Sequence, residues 1–179
     1  MFLFEKNKGW NYRMSPKNKL ISFYIFYLLN NNAYSQEVFN YNYDGQNRSY
    51  YLFIPDSIQI GAPLVFVLHG YTGSAAGIMN YSGMNNIANN EKFAVCYPQG
   101  TIDGSGNAFW NVGYDFHSNQ TVDDVGFIIE LAQFLQTEYN LSRNNTFSTG
   151  MSNGGELSYL LGCQASDIFC SVAPVSGTM

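Results

Sequence analysis

The chain has 179 residues, room for one ordinary domain and not for two. Its 46% hydrophobic and 12% charged residues exclude a disordered or solvating chain. The net charge of -5 is uneven, because Lys6, Lys8, Arg13, Lys17 and Lys19 are five of the eight basic residues.

Leu20 to Leu29 is an uncharged apolar run behind that basic segment, and Ala33-Tyr34-Ser35 follows it as a small-x-small site before Gln36. This is the order of a secretory signal peptide. The apolar run is far shorter than the ~20 residues a membrane-spanning helix needs, so no stable membrane anchor is expected. The expectation is a signal peptide over residues 1–35, cleaved near Ser35, and a secreted or periplasmic mature chain. Met14 offers an alternative start with a shorter basic region. Removing residues 1–35 leaves three basic and twelve acidic residues. Phosphate backbones repel such a chain, which speaks against a nucleic-acid partner.

From Gln36 onward strand and helix patterns alternate, the signature of an α/β domain. Asn40 to Asn47 and Asn85 to Asn90 read as turns. Arg48 to Ile54 is β-rich, follows the turn pair Asp44-Gly45, stops at Pro55 and reads as an outer strand. Pro63 to Leu68 is continuously apolar, as a central parallel strand buried on both faces would be. Ile78 to Asn90 has weak helical spacing, and Phe93 to Tyr97 is a second short buried strand. Gln99 to Gln120 reads as a long loop carrying Trp110, and long loops inside a domain are often functional.

Thr121 with Asp124 three residues later fits a capping box ahead of the helix that runs to about Tyr139. A metal or acid/base role for Asp123-Asp124 is the lesser alternative, since acidic side chains suit a helix N-terminus anyway. Asn145 to Thr149 is a strand candidate, Glu156 to Leu161 a helical run and Ser171 to Val175 a further strand. Cys96 sits in an apolar run and reads as a buried thiol. Cys163 and Cys170 are open to pairing with each other or elsewhere. No cysteine or histidine cluster has zinc-ligand spacing, so neither metal nor cofactor is expected.

The chemistry concentrates at Gly150-Met151-Ser152-Asn153-Gly154, a G-x-S-x-G pentapeptide extended by Gly155 between a strand and a helix. Such a turn holds its serine in a strained conformation above the sheet, and its glycines let strand and helix approach closely. The N–H that follows the nucleophile, at Asn153, is one expected oxyanion donor. The second is expected from the loop after an earlier central strand, His69-Gly70-Tyr71-Thr72-Gly73, with Tyr71 as the donor and His69 and Gly70 shaping the loop.

The segments PLVFVLHGYTGSA, YPQGT, FWNVG, VDDVGFI, FSTGMSNGGELSYLLGC and APVSGTM carry a resemblance that runs from Arg48 to Met179. They resemble the secreted poly(3-hydroxybutyrate) depolymerase and feruloyl esterase group of α/β-hydrolases. The resemblance implies a mostly parallel sheet with helices on both faces. It also implies a serine esterase acting on polyhydroxyalkanoate or on acetyl and feruloyl esters of plant polysaccharide. Ser152 takes the nucleophile position, Asn153 and Tyr71 the oxyanion positions, and Trp110 a place near the site. Trp110 is read equally as a substrate contact or a core aromatic. Glu156 stands where an apolar residue is expected.

His69 and His117 both precede Ser152, whereas this fold orders its triad Ser, then Asp or Glu, then His. After Ser152 the chain holds no histidine and one aspartate, Asp167, which reads as a turn residue. The expectation is therefore residues 36–179 as a partial α/β-hydrolase domain, ending after the strand that follows the nucleophile helix. A catalytically incomplete chain and a serine peptidase of the same fold are the alternatives.

Overall fold

Alternation of side chains along a few central strands decides the layering. The structure, a computed structural model, describes residues 37–178. Its main sheet has six strands in the order β1 (Val38–Tyr43), β2 (Gln46–Phe53), β4 (Ala94–Pro98), β3 (Leu64–Leu68), β7 (Thr146–Met151) and β8 (Ser171–Val175). β3 lies between β4 and β7 and is parallel to both, and β8 extends the parallel part beyond β7. Leu64, Phe66 and Leu68 face one helical layer. There they join Phe127, Ile128 and Leu131 of α3 (Asp124–Glu138) and Leu157 and Leu161 of α4 (Asn153–Gln164). Val67, with Val95 and Tyr97 of β4, faces the other layer, made by α1 (Ala75–Ser82) and α2 (Met84–Glu91) through Ala75, Ile78, Met79 and Ala88. A strand serving both layers has no polar face, which is why β3 reads as an unbroken apolar run.

The N-terminal part departs from expectation. Asn40 to Asn47 is largely a hairpin, not a set of turns. β1 (Val38–Tyr43) pairs antiparallel with β2 (Gln46–Phe53) about Asp44 and Gly45, whose φ angles of 48° and 73° make a two-residue hairpin turn. Phe39, Tyr41 and Tyr43 alternate with exposed Asn40 and Asn42 and pack on the core. This places β2 second from the edge, between β1 and β4.

The segment read as a long loop carries a short antiparallel pair, β5 (Thr101–Ile102) with β6 (Ala108–Phe109), and one 3-10 turn over Asp115–His117. No helix among the described residues is long and apolar enough to cross a membrane. The expected signal peptide lies outside the described residues. Cys96 is buried, and its thiol is pushed up by desolvation, while Cys163 and Cys170 are exposed and unpaired with one another.

The capping box at Thr121 and Asp124 is also corrected. Asp123 is the N-cap of α3, its carboxylate accepting the Gly126 N–H at 2.8 Å. Asp124 turns inward, where its Oδ1 lies 2.6 Å from the Arg48 guanidinium and its Oδ2 accepts the Asn111 N–H at 2.7 Å. Arg48, itself buried, packs 4.0 Å over the Phe127 ring. The pair joins β2, α3 and the segment before α3. Removing one partner strands a buried charge, so Asp124→Ala is expected to cost about 3–5 kcal/mol in denaturant unfolding. Tyr81→Ser, at an exposed position of α1, is expected to stay within about 0.5 kcal/mol of wild type.

Candidate active site

β7 ends and α4 begins with no room between them. A Cβ on Gly150 would collide with the Gly154 carbonyl, and one on Gly154 with the carbonyl oxygens of Leu68 and His69. Ser152 sits at the apex with φ 52° and ψ -119°, the left-handed side of backbone space that L residues avoid. Its own N–H donates to the Val175 carbonyl at 2.8 Å, tying the turn to the end of β8. Ser152 and Met151 are exposed, whereas Asn153, Gly154 and Gly155 are buried at the head of α4. The apex is thus a serine at a helix N-terminus, where backbone N–H groups favour a developing negative charge.

The loop after β3 lies against this apex. A Cβ placed on Gly70 would come within 3.2 Å of the Met151 carbonyl oxygen and 3.6 Å of the Ser152 Cβ. Tyr71, the next residue, and Asn153 both have backbone N–H groups without an acceptor among the described residues. Thr72 takes φ 62° and donates its N–H to the Ala108 carbonyl at 2.8 Å, so the loop is strained and fastened to β6.

Buried side-chain bonds hold the pieces in register. The Asn153 amide pairs reciprocally with the Trp110 main chain, accepting its N–H at 2.7 Å and donating to its carbonyl at 3.0 Å. The Trp110 indole N–H donates to the His69 carbonyl at 2.8 Å, and the two rings lie 4.9 Å apart. Trp110 has no exposed surface, which makes it a core aromatic bracing the elbow; its side chain does not line the opening.

Neither histidine serves Ser152. His69 Nε2 accepts the Gly100 N–H at 2.9 Å and faces the Gln99 amide at 3.1 Å, so the proton sits on Nδ1, which donates to the Gly70 carbonyl at 2.8 Å. Burial pushes this imidazole down and keeps it neutral. His117 is also buried, with Nε2 3.1 Å from Asp103. Among the described residues the Ser152 hydroxyl has no hydrogen-bond partner. Glu156 meets the Tyr114 hydroxyl and accepts the Thr178 hydroxyl at 3.2 Å. This explains a charged residue at a position expected to be apolar: the carboxylate joins the segment after β8 to the one before α3. Burial and Glu156 push the Tyr114 phenol up to about 12. Asp167 lies exposed in the turn after α4.

Several residues of this site were not singled out by the sequence reading: Asp103, Asn107, Gln99 and Tyr114. Asp103-Gly104-Ser105 carries a visible Asx-turn signal, but nothing local points to the distant partner of that aspartate. Among the described residues no group of three His, Cys, Asp or Glu side chains gathers within metal-binding reach.

Residues 48–179 match the family described as Esterase PHB depolymerase. The chain belongs to that family. It is 25% identical over 141 residues to poly(3-hydroxyalkanoate) depolymerase C of Paucimonas lemoignei, covering 79% of this chain and 34% of the relative. It is 27% identical over 138 residues to feruloyl esterase D of Neurospora crassa, covering 77% of this chain and 42% of the relative. The chain therefore spans well under half the length of these curated relatives. Among solved structures it is similar to an acetyl xylan esterase from Aspergillus awamori, with a TM-score of 0.63 at 18% identity, covering 79% of this chain and 52% of that one. An S-formylglutathione hydrolase from Agrobacterium tumefaciens gives a TM-score of 0.65 at 15% identity, covering 79% and 57%. These likenesses establish an α/β-hydrolase fold, in agreement with the fold that the sequence segments imply.

Two outcomes follow from this geometry. Asn153→Ala leaves the Trp110 N–H and carbonyl buried without partners, and is expected to lower stability by about 1–3 kcal/mol in denaturant unfolding. Asp103 contributes in a pH-dependent way. The bonds from the Tyr71 hydroxyl and the Asn107 N–H hold its carboxyl well below the usual carboxylate range. A depressed folded-state value adds stability that is fully present above the ordinary carboxylate pKa, about 3.9, and is lost as pH falls toward the depressed value. The stability gap between wild type and Asp103→Asn is therefore expected to narrow as pH is lowered from about 4, as followed by circular dichroism.

Proposed function

We propose that this protein is a secreted serine esterase that hydrolyses extracellular carboxylic esters: polyhydroxyalkanoate, or acetyl and feruloyl esters of plant polysaccharide. The single observation that carries the proposal is the exposed Ser152 held at a strained strand-to-helix apex with the Gly70-Tyr71 loop against it. Export is supported by the basic, apolar and small-residue order of residues 1–35. The ester classes are supported by the names of the depolymerase and feruloyl esterase relatives.

In this reading Ser152 Oγ attacks the ester carbonyl carbon and forms the Oγ–C bond. The carbonyl electron pair moves onto oxygen and is stabilised by the Asn153 and Tyr71 N–H groups. Collapse breaks the C–O bond to the alcohol, which leaves with the serine proton delivered by a base, and water then releases the acid from the acyl-enzyme. The described residues do not supply that base, because His69 and His117 are committed elsewhere. This favours a second reading of the chain, as catalytically incomplete on its own.

A fluorophosphonate probe and three substrates, p-nitrophenyl acetate, methyl ferulate and a peptide amide, separate the readings. The esterase predicts labelling and ester turnover in the wild type, both abolished in Ser152→Ala, with the peptide amide untouched. Labelling at the level of Ser152→Ala would support the incomplete reading, and amide turnover would support a peptidase.

A further inference from the structure

Asp103 is a buried carboxylate, 7% exposed, whose two oxygens do different jobs. Oδ1 accepts the N–H groups of Ser105 and Asn107 at 2.8 and 2.9 Å, which closes the local turn between β5 and β6. Oδ2 has no part in that turn. It accepts the Tyr71 hydroxyl at 2.6 Å and faces His117 Nε2 at 3.1 Å, so it receives donors from two other segments of the chain. The Tyr71 hydroxyl in turn accepts the Asn107 amide at 2.9 Å. With the carboxylate as its partner, His117 Nε2 carries the proton, and its ring lies 4.3 Å from that of Phe109.

We propose that Asp103 is a positioning residue for the ester hydrolysis, acting through the Tyr71 hydroxyl to fix the direction in which the Tyr71 backbone N–H faces the oxyanion. The inference rests on the esterase reading of Ser152. The need for such an anchor is local. Thr72, a β-branched residue, holds φ 62°, a conformation that relaxes unless its neighbours are pinned. The peptide between Tyr71 and Thr72 is tied through the Thr72 N–H to Ala108, and the peptide between Gly70 and Tyr71 through its carbonyl, which accepts the Gly73 N–H at 2.9 Å and the His69 Nδ1–H at 2.8 Å. The Tyr71 N–H has no acceptor among the described residues, and the phenol bound to Asp103 adds a side-chain tether at Tyr71 itself. An oxyanion donor works only when aimed before the charge develops, so a small swing of this peptide weakens catalysis without touching substrate binding.

The test compares wild type, Asp103→Asn, Tyr71→Phe and the double variant of the full-length protein, reading kcat and KM for p-nitrophenyl acetate and the rate of fluorophosphonate labelling. Losing an oxyanion donor outright costs about 10²–10³ in kcat, and mis-aiming one is expected to cost about tenfold. KM should stay within about twofold, because the lost interaction belongs to the transition state. The double variant should be no slower than the slower single, since both changes cut one link. Tyr71→Phe removes one oxygen and leaves Asp103 its other donors, so it probes the link even where Asp103→Asn folds poorly. Unchanged kcat in Tyr71→Phe, or losses that multiply in the double variant, would overturn the role of Asp103 and leave the esterase reading intact. A wild type that neither labels nor turns over ester would overturn both.

Discussion

The meeting of β7 and α4 at Ser152 is the constraint on which the rest of the site depends. Strand and helix approach so closely that the chain tolerates no Cβ at Gly150 or Gly154, and the carbonyls of Leu68 and His69 occupy the space a side chain would need. Closeness forces the serine into left-handed backbone space and lifts it clear of the sheet. It also brings the end of β3 under the head of α4, which is why the loop after β3 reaches the serine at all. Strain of this kind, on the order of 1–3 kcal/mol per residue, persists only where surrounding contacts over-determine it. Here the fully buried Leu157 and Leu161, packed with Phe66 and Leu68, anchor the helix that carries it.

Around the apex, side chains do the work that backbone ladders do elsewhere. The segment between β4 and α3 contains only a two-residue pair and one 3-10 turn, and many of its backbone groups find partners in side chains. Asn153 grips the Trp110 main chain, His69 receives the Gly100 N–H, Asp124 receives that of Asn111, and Asp103 gathers Tyr71, Ser105, Asn107 and His117. Each of these bonds satisfies a group whose burial without a partner costs about 1–3 kcal/mol. A segment that looks irregular is thereby fastened to its surroundings, and it braces the elbow and the loop after β3 together.

The imidazole of His69 illustrates how tertiary context assigns a role. A histidine in the loop against the elbow serine invites a base reading, yet two N–H donors converge on its Nε2 and its Nδ1–H is spent on Gly70. It is a structural acceptor that stiffens the loop carrying Tyr71. Glu156 makes the complementary point: a charge that looks misplaced in a helix start is matched there by hydroxyls from Tyr114 and Thr178.

Much of this protein was legible in its residues because the governing forces are local or periodic. Continuous apolar runs announced β3 and β4, helical spacing announced α3, and two glycines about a serine announced the elbow, since each follows from sterics within a few residues. The hairpin at β1 was legible in principle, through Phe39, Tyr41 and Tyr43 at period two, but the intervening asparagines masked it. Only the tertiary structure decided which polar residues meet. Asp124 could serve a helix end or an arginine 76 positions away, and Asp103 could close a turn or hold a tyrosine 32 positions away. Local sequence is the same in either case. The choice is made by burial, which leaves a carboxylate stable only where donors from distant segments converge on it.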